Sequence, residues 1–195
     1  MSLEVIQAGV LSLLQDRGRF GAHRIGLTNG GPLDPHAFNY CNRLLANDAD
    51  STAIEISFGG SQFRVGVDTY ICVTGASMPL TINGIEQPLW AVHPVSAGDD
   101  IKLGFAENGC RSYLGVAGGF TIEPSFGSTA TVMRESIGGL QGNKLNSGDL
   151  LPCPRVSGRH CFYLAPVLQP KYRDTITLRV IPGYQQAHFR RLQQR

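Results

Sequence analysis

Apolar and polar positions alternate with period two along most of the chain, in runs too short for helices. Such a pattern predicts strands half-buried on one face. Ala53 to Phe58 sets Ile54, Ile56 and Phe58 against Glu55 and Ser57, and Phe63 to Val67 alternates again. Leu3 to Ile6, Val10 to Leu14, Tyr70 to Thr74, Ile101 to Phe105, Tyr113 to Val116, Phe162 to Leu164 and Ile176 to Ile181 complete the expected strands. Leu80 to Ile82, Asn83-Gly84 and Ile85 spell a hairpin whose turn pair tolerates positive φ. Ser96 to Ile101 and Asn146 to Leu151 repeat one another, each a Gly-Asp turn feeding an apolar strand. Their acids are expected to bond local backbone amides. Short strands with regular glycine punctuation predict a mainly β barrel or sandwich.

One segment changes period. Asp34 suits a helix N-cap and Pro35 the first helical position, after which Phe38, Cys41, Leu44 and Leu45 share one face. This predicts one short helix near residues 35–46, ended by Asn47-Asp48, with a weaker helical turn at Met133 to Ile137. Residues 1–170 read as the β domain, and residues 171–195 as a linker and the start of a second lobe.

Composition narrows the classes. The 195 residues are 42% hydrophobic and 16% charged, enough for a buried core. A net charge of +2 does not suit nucleic acid, and the basic end at His188, Arg190, Arg191 and Arg195 reads as a solvated tail. The five cysteines are Cys41, Cys72, Cys110, Cys153 and Cys161; none forms a C-x-x-C pair, so zinc or disulfide frameworks are not expected. Cys72 and Cys161 lie in apolar runs and are expected to be small buried hydrophobes. The pattern fits a reducing cytoplasm, with no signal peptide or membrane helix expected. The histidines are scattered, so no metal site is expected.

Chemistry concentrates in three polar clusters. The run Gln15-Asp16-Arg17-Gly18-Arg19-Phe20-Gly21, with Gly30-Gly31 and Asp34 downstream, is too polar and glycine-rich to be core. Arginine forks beside acids suit carboxylate or phosphate recognition, and suit equally a loop tied by Asp16–arginine pairs. Asn42 on the helix and Glu55 on the next strand form the second cluster; alternation points Glu55 away from Ile54 and Ile56, into solvent or a cleft. Arg111, Tyr113, Ser128 and Arg134, among Gly127 and Gly138 to Gly142, form the third: an anion pocket or a set of tight turns.

These clusters carry a resemblance. Gln15-Asp16-x-Gly18-Arg19-x-Gly21, Asp34, Asn42, Glu55, Gly75-Ala76, Arg111, Tyr113, Gly118-Gly119, Gly127-Ser128, Thr131, Arg134 and Gly138-Gly139 occur in one order. In this the chain resembles the biotin-dependent carboxyltransferase / allophanate hydrolase subunit 2 family, which includes the C-type subunit of bacterial 5-oxoprolinase and KipA-type regulators. Cys41, Thr129 and Asn143-Lys144 depart from its usual residues. Members usually continue into a second β lobe beyond the position matching Gly183-Tyr184-Gln185.

The resemblance implies a cyclophilin-like β-barrel and ATP-dependent opening of 5-oxoproline to glutamate, active only with two partners, the KipI-like B-type subunit and the A-type subunit of 5-oxoprolinase. The alternatives it implies are carboxyl transfer to urea or another amide, with biotin carried by a partner, or a non-catalytic KipA-like regulator that binds a KipI-like kinase inhibitor. ATP would bind this chain or the complex. Asp16, Asp34 and Glu55 are the candidate catalytic residues; Gln15, Arg17, Arg19, Asn42, Arg111, Tyr113, Ser128 and Arg134 are candidates to bind substrate. A barrel without its second lobe is expected to self-associate or bind a partner.

Overall fold

A computed structural model describes residues 1–173, 175–181, 183–185 and 188. Its strands are β1 (Ser2–Ala8), β2 (Leu11–Gln15), β3 (Ala53–Ser57), β4 (Gly59–Val65), β5 (Thr69–Ser77), β6 (Leu80–Ile82), β7 (Ile85–Gln87), β8 (Val92–Val95), β9 (Asp100–Phe105), β10 (Asn108–Val116) and β11 (Leu150–Pro152). One α-helix, α1 (Pro35–Leu44), lies among the described residues, and 3-10 turns occur at His23–Ile25, Met133–Glu135 and Pro166–Leu168. The mainly β character and the single helix are as expected. The strands make two antiparallel sheets, ordered β11-β1-β4-β9-β6-β7 and β2-β3-β10-β5-β8. The sheets do not close into one continuous ring.

The two sheets share one corner. β1 runs into β2 through Gly9, β3 into β4 through Phe58, and β9 into β10 through Ala106-Glu107, each crossing from one sheet to the other. Backbone bonds lace the three crossings: Val10 N–H to Gly59 O at 3.3 Å, Phe58 N–H to Cys110 O at 3.0 Å, and Ala106 N–H to Phe58 O at 3.0 Å. The crossing at β3–β4 forces positive φ at Phe58 (59°) and Gly59 (84°). A methyl group on Gly59 would lie 2.0 Å from the Gly104 carbonyl oxygen.

The alternation read from the sequence sets the layers. Leu14, Ile54, Ile56, Ile71, Val73 and Leu114 from the second sheet pack against Val5, Phe63, Ile101 and Leu103 from the first. On the other face of the second sheet, Ala53, Cys72 and Tyr113 meet Ala37, Phe38, Cys41 and Leu45 of the helical segment. The helix begins as predicted, with Asp34 Oδ1 accepting the Ala37 N–H at 3.0 Å and Pro35 next. The hairpin turns at Asn83 (φ 53°) and Gly84 (φ 77°). Both Gly-Asp turns close as expected: Ser96 N–H donates to Asp99 and Asn146 N–H to Asp149, each at 2.7 Å.

Three expectations need correction, and one strand is additional. Ile176–Ile181 forms no strand; its Ile176, Leu178, Val180 and Ile181 are exposed because nothing among the described residues pairs with it. The run at Phe162 to Leu164 supplies only an isolated bridge, Tyr163 to Ala91. Cys161 is exposed, whereas Cys72 is buried. β8 was not anticipated: Pro94 interrupts the pattern yet fits here because β8 is a sheet edge. The basic tail beyond His188 lies outside the described residues. No helix of the described residues is long and apolar enough to cross a membrane.

The corner makes a sharp prediction. Gly59→Ala is expected to lose about 3 kcal/mol in urea unfolding, from backbone overlap and left-handed strain together. Gly84→Ala also has positive φ but meets nothing within 4 Å, and should lose only about 1 kcal/mol. Equal losses would remove the corner's special role.

Candidate functional site

Glu55 and Tyr113 stand directly opposite one another on β3 and β10. Since Ile54 and Ile56 fill the core between the sheets, both side chains turn to the helix-covered face. The Tyr113 hydroxyl donates to Glu55 Oε2 at 2.7 Å and accepts the Asp34 N–H at 2.8 Å. Glu55 Oε2 also accepts the Leu33 N–H at 2.7 Å. The strand pair thus fixes the turn that starts α1. Phe38 meets the Tyr113 ring edge-on at 5.8 Å, and the Thr74 hydroxyl donates to Ala37 O at 2.7 Å. Asp34 has two tasks: Oδ1 caps the helix, and Oδ2 accepts the Tyr172 hydroxyl at 2.7 Å.

Arg111 completes the arrangement. Its Nε lies 3.7 Å from Glu55 Oε1, an ion-pair distance too long for a hydrogen bond, and Nε is buried with no hydrogen-bond partner. One Nη donates to Cys110 O at 3.2 Å, and the guanidinium carbon sits 5.7 Å from the centre of the Phe58 ring. A cavity of about 280 Å³ opens here, lined by Leu33, Asp34, Cys110, Arg111, Tyr172 and Arg173 among others. Its size suits a small molecule, and its charged lining suits an acid or amide. Burial, then the Glu55 charge, holds the Tyr113 hydroxyl well above the usual tyrosine range. Burial, then the bond to Asp34, does the same for Tyr172. Both phenols therefore stay protonated donors and not bases.

The cluster at the start of the chain builds a separate network. Asp16 Oδ1 accepts the Gly18 N–H at 2.8 Å and the Ser128 hydroxyl at 2.6 Å; Oδ2 accepts the Thr129 N–H at 2.6 Å. Gln15 accepts the Gly31 N–H at 3.1 Å and donates to Thr131 O at 3.2 Å. Arg19 is 1% exposed and donates to Ala130 O at 2.6 Å and Ser125 O at 3.4 Å. The acid–arginine pairing expected of Asp16 is replaced by a hydroxyl and backbone amides. Gln15, Asp16, Arg19 and Ser128 together clamp residues 125–131 to the end of β2. Only Arg17 of the two arginines in the run is exposed, at the edge of another cavity with Phe20, Asn29, Gly30 and Asn39.

The three expected clusters are thus regrouped. Arg111 and Tyr113 join Glu55 and Asp34, whereas Ser128 joins Asp16. Asn42 is not in either network: its amide donates to Ser51 O at 2.9 Å and accepts from Asn47 at 3.2 Å, holding the end of the helix. Arg134 points outward beside Glu135 at 3.2 Å, its side chain 77% exposed. The glycines around Gly127 and Gly138 shape turns. Sequence reading missed Leu33, Phe58, Cys110, Tyr172 and Arg173. Phe58 before Gly59-Gly60 was a usable signal, an aromatic where a turn residue belongs.

The raised Tyr113 pKa gives a pH dependence. Stability from its protonated hydroxyl is fully present below the unfolded value of about 10 and is lost as pH climbs beyond it. Tyr113→Phe should cost about 1–2 kcal/mol at pH 8, through the lost bonds to Glu55 and the Asp34 amide. That cost should shrink by pH 11; urea midpoints for both proteins at both pH values check this, and an undiminished cost would contradict it.

The family model for the carboxyltransferase domain, subdomain A and B, matches residues 25–195. The chain is 34% identical over 194 residues to the C-type subunit of 5-oxoprolinase of Escherichia coli, covering 98% of this chain and 61% of that protein. It is 35% identical over 187 residues to a putative urea carboxylase of Emericella nidulans, covering 93% of this chain and 15% of that one. The crystal structure of Kluyveromyces lactis urea carboxylase superposes with a TM-score of 0.77 at 31% identity, over 88% of this chain and 15% of that chain. The chain therefore spans less than two thirds of the length of these relatives. A match running over nearly its whole length places the chain in the carboxyltransferase domain family, subdomain A and B.

Proposed function

We propose that this chain is part of an enzyme component that handles a small amide or lactam, of the kind found as the C-type subunit of 5-oxoprolinase. The observation that carries the reading is the cavity beside Arg111, whose buried Nε lacks a partner while Glu55 Oε1 stands 3.7 Å away. A guanidinium so held suits a carboxylate, and 5-oxoproline carries one. On the same cavity the Tyr172 hydroxyl, its proton engaged by Asp34 Oδ2, keeps a lone pair that can accept the N–H of a lactam. The alignment with the Escherichia coli 5-oxoprolinase protein supports the same reading. The KipI-like B-type subunit and the A-type subunit are the proposed partners.

ATP would supply the electrophile, by phosphorylating the lactam oxygen. The α1 N-terminus, the natural place for an anion, is filled by the Asp34 carboxylate. We assign ATP to a partner chain. In the second reading, carboxyl transfer to urea or a related amide, the biotin likewise arrives on a partner. The likeness to urea carboxylases favours that reading. Neutral urea, however, gives Arg111 no opposite charge.

The test is 5-oxoproline-dependent ADP release by the two partner proteins with and without this chain. The expected result is release that requires the chain and falls about 100-fold with Arg111→Ala, measured at a temperature where circular dichroism shows the variant still folded, since the unpaired Glu55 lowers its melting temperature. Release that ignores the chain, or an Arg111→Ala variant that turns over normally, would reject the 5-oxoprolinase reading. Urea-dependent consumption of carboxybiotin in its place would establish the second.

A further inference from the structure

Phe58 is an unexpected residue at its position. Its φ of 59° is one that bulky side chains rarely adopt. The turn between β3 and β4 does not call for an aromatic, since glycine would make the same turn without strain. Nor does the core: Phe58 is 51% exposed. The Arg111 guanidinium lies over the ring, its carbon 5.7 Å from the centre, within cation–π range. The backbone cannot drift away from that contact, because Phe58 N–H is bonded to Cys110 O and Phe58 O to the Ala106 N–H, both at 3.0 Å. Glu55 alone does not fix Arg111, standing 3.7 Å from its Nε.

We propose that Phe58 is a positioning residue, whose ring braces the Arg111 guanidinium so that its donors meet a carboxylate in the adjoining cavity. The strained turn holds the ring face against the cation, an arrangement that weak hydration of guanidinium favours. The ring beneath the guanidinium and Glu55 at 3.7 Å from its Nε together narrow the orientations it can take. Its remaining donors are then pre-oriented, so a carboxylate can bind without ordering a long side chain. This inference rests on reading the cavity as the substrate site. It adds the selection of a carboxylate-bearing ligand over a neutral amide, and the residue responsible.

Cys110 lines the cavity and is exposed, which gives a readout apart from turnover. In a Cys161→Ser background, alkylation of Cys110 by iodoacetamide is followed by intact mass. 5-Oxoproline is expected to slow alkylation, and 2-pyrrolidinone, the same ring without the carboxylate, is not. Phe58→Gly should raise the half-protecting concentration of 5-oxoproline about ten-fold while keeping or raising the melting temperature, since glycine relieves the strain. Phe58→Tyr, which keeps the ring face, should protect like the parent. Equal protection in Phe58→Gly, equal protection by 2-pyrrolidinone, or no protection in the parent would each overturn the inference. Protection without ADP release in the reconstituted complex would retain it and remove the 5-oxoprolinase reading; ADP release without protection would do the reverse.

Discussion

The arrangement depends on one buried carboxylate. Glu55 sits on the helix-covered face of a sheet, where an unpaired charge would be costly. Its Oε2 is satisfied by a phenol and a backbone amide, and its Oε1 faces the Arg111 cation. The partners come from two elements: Tyr113 and Arg111 from β10, and Leu33 from the turn before α1. Solvating one charge therefore assembles the strand pair, the helix start and the cavity wall together. The next residue, Asp34, extends the chain of bonds to Tyr172. Breaking a buried pair of this kind by removing one partner leaves the other uncompensated, so Glu55 and Arg111 are coupled in stability as well as in chemistry.

The network around Asp16 shows why polarity alone does not mark a site. Arg19 is among the largest fully buried side chains of the protein, yet its main bonds are to carbonyl oxygens of residues 125 and 130. Those bonds and the two that Asp16 accepts from Ser128 and Thr129 hold a glycine-punctuated loop with little apolar surface of its own. A loop of this composition cannot be anchored by burying side chains, so charge-assisted bonds to its backbone take that role. Of the residues that read as a ligand cradle in the sequence, Gln15, Asp16 and Arg19 thus bond within the protein, while Arg17 stays exposed and Arg19 Nη1 is buried without a partner.

What was legible in the sequence follows from local physics. Asp34-Pro35 marked the helix start, Asn83-Gly84 the hairpin, and the Gly-Asp pairs their turns, because each is decided within four residues. Glu55 opposite the isoleucines was legible from period two, though its surroundings were not. The sheet crossings were not legible: the run from Ala53 to Val67 reads as two strands, and nothing local says that they belong to different sheets. Membership of the two networks was equally hidden. Asp16 meets Ser128 across 112 residues and Tyr172 meets Asp34 across 138, distances at which spacing carries no information. Tyr172 lay in a proline-containing polar stretch that offers no periodicity at all.

Strain and electrostatics meet at the corner. Three strand crossings must stack there, and the close approach of Gly59 to Gly104 leaves the chain little freedom in how it turns. The turn fixes where residue 58 points, and β10 pairing fixes Arg111 opposite Ser57, one residue before it. A side chain at 58 is therefore delivered to the guanidinium by backbone geometry that the fold needs for its own reasons. The fold dictates the place and leaves the residue type open. A residue type that costs strain at such a place points to a role outside folding, and the adjoining cavity is where that role can be exercised.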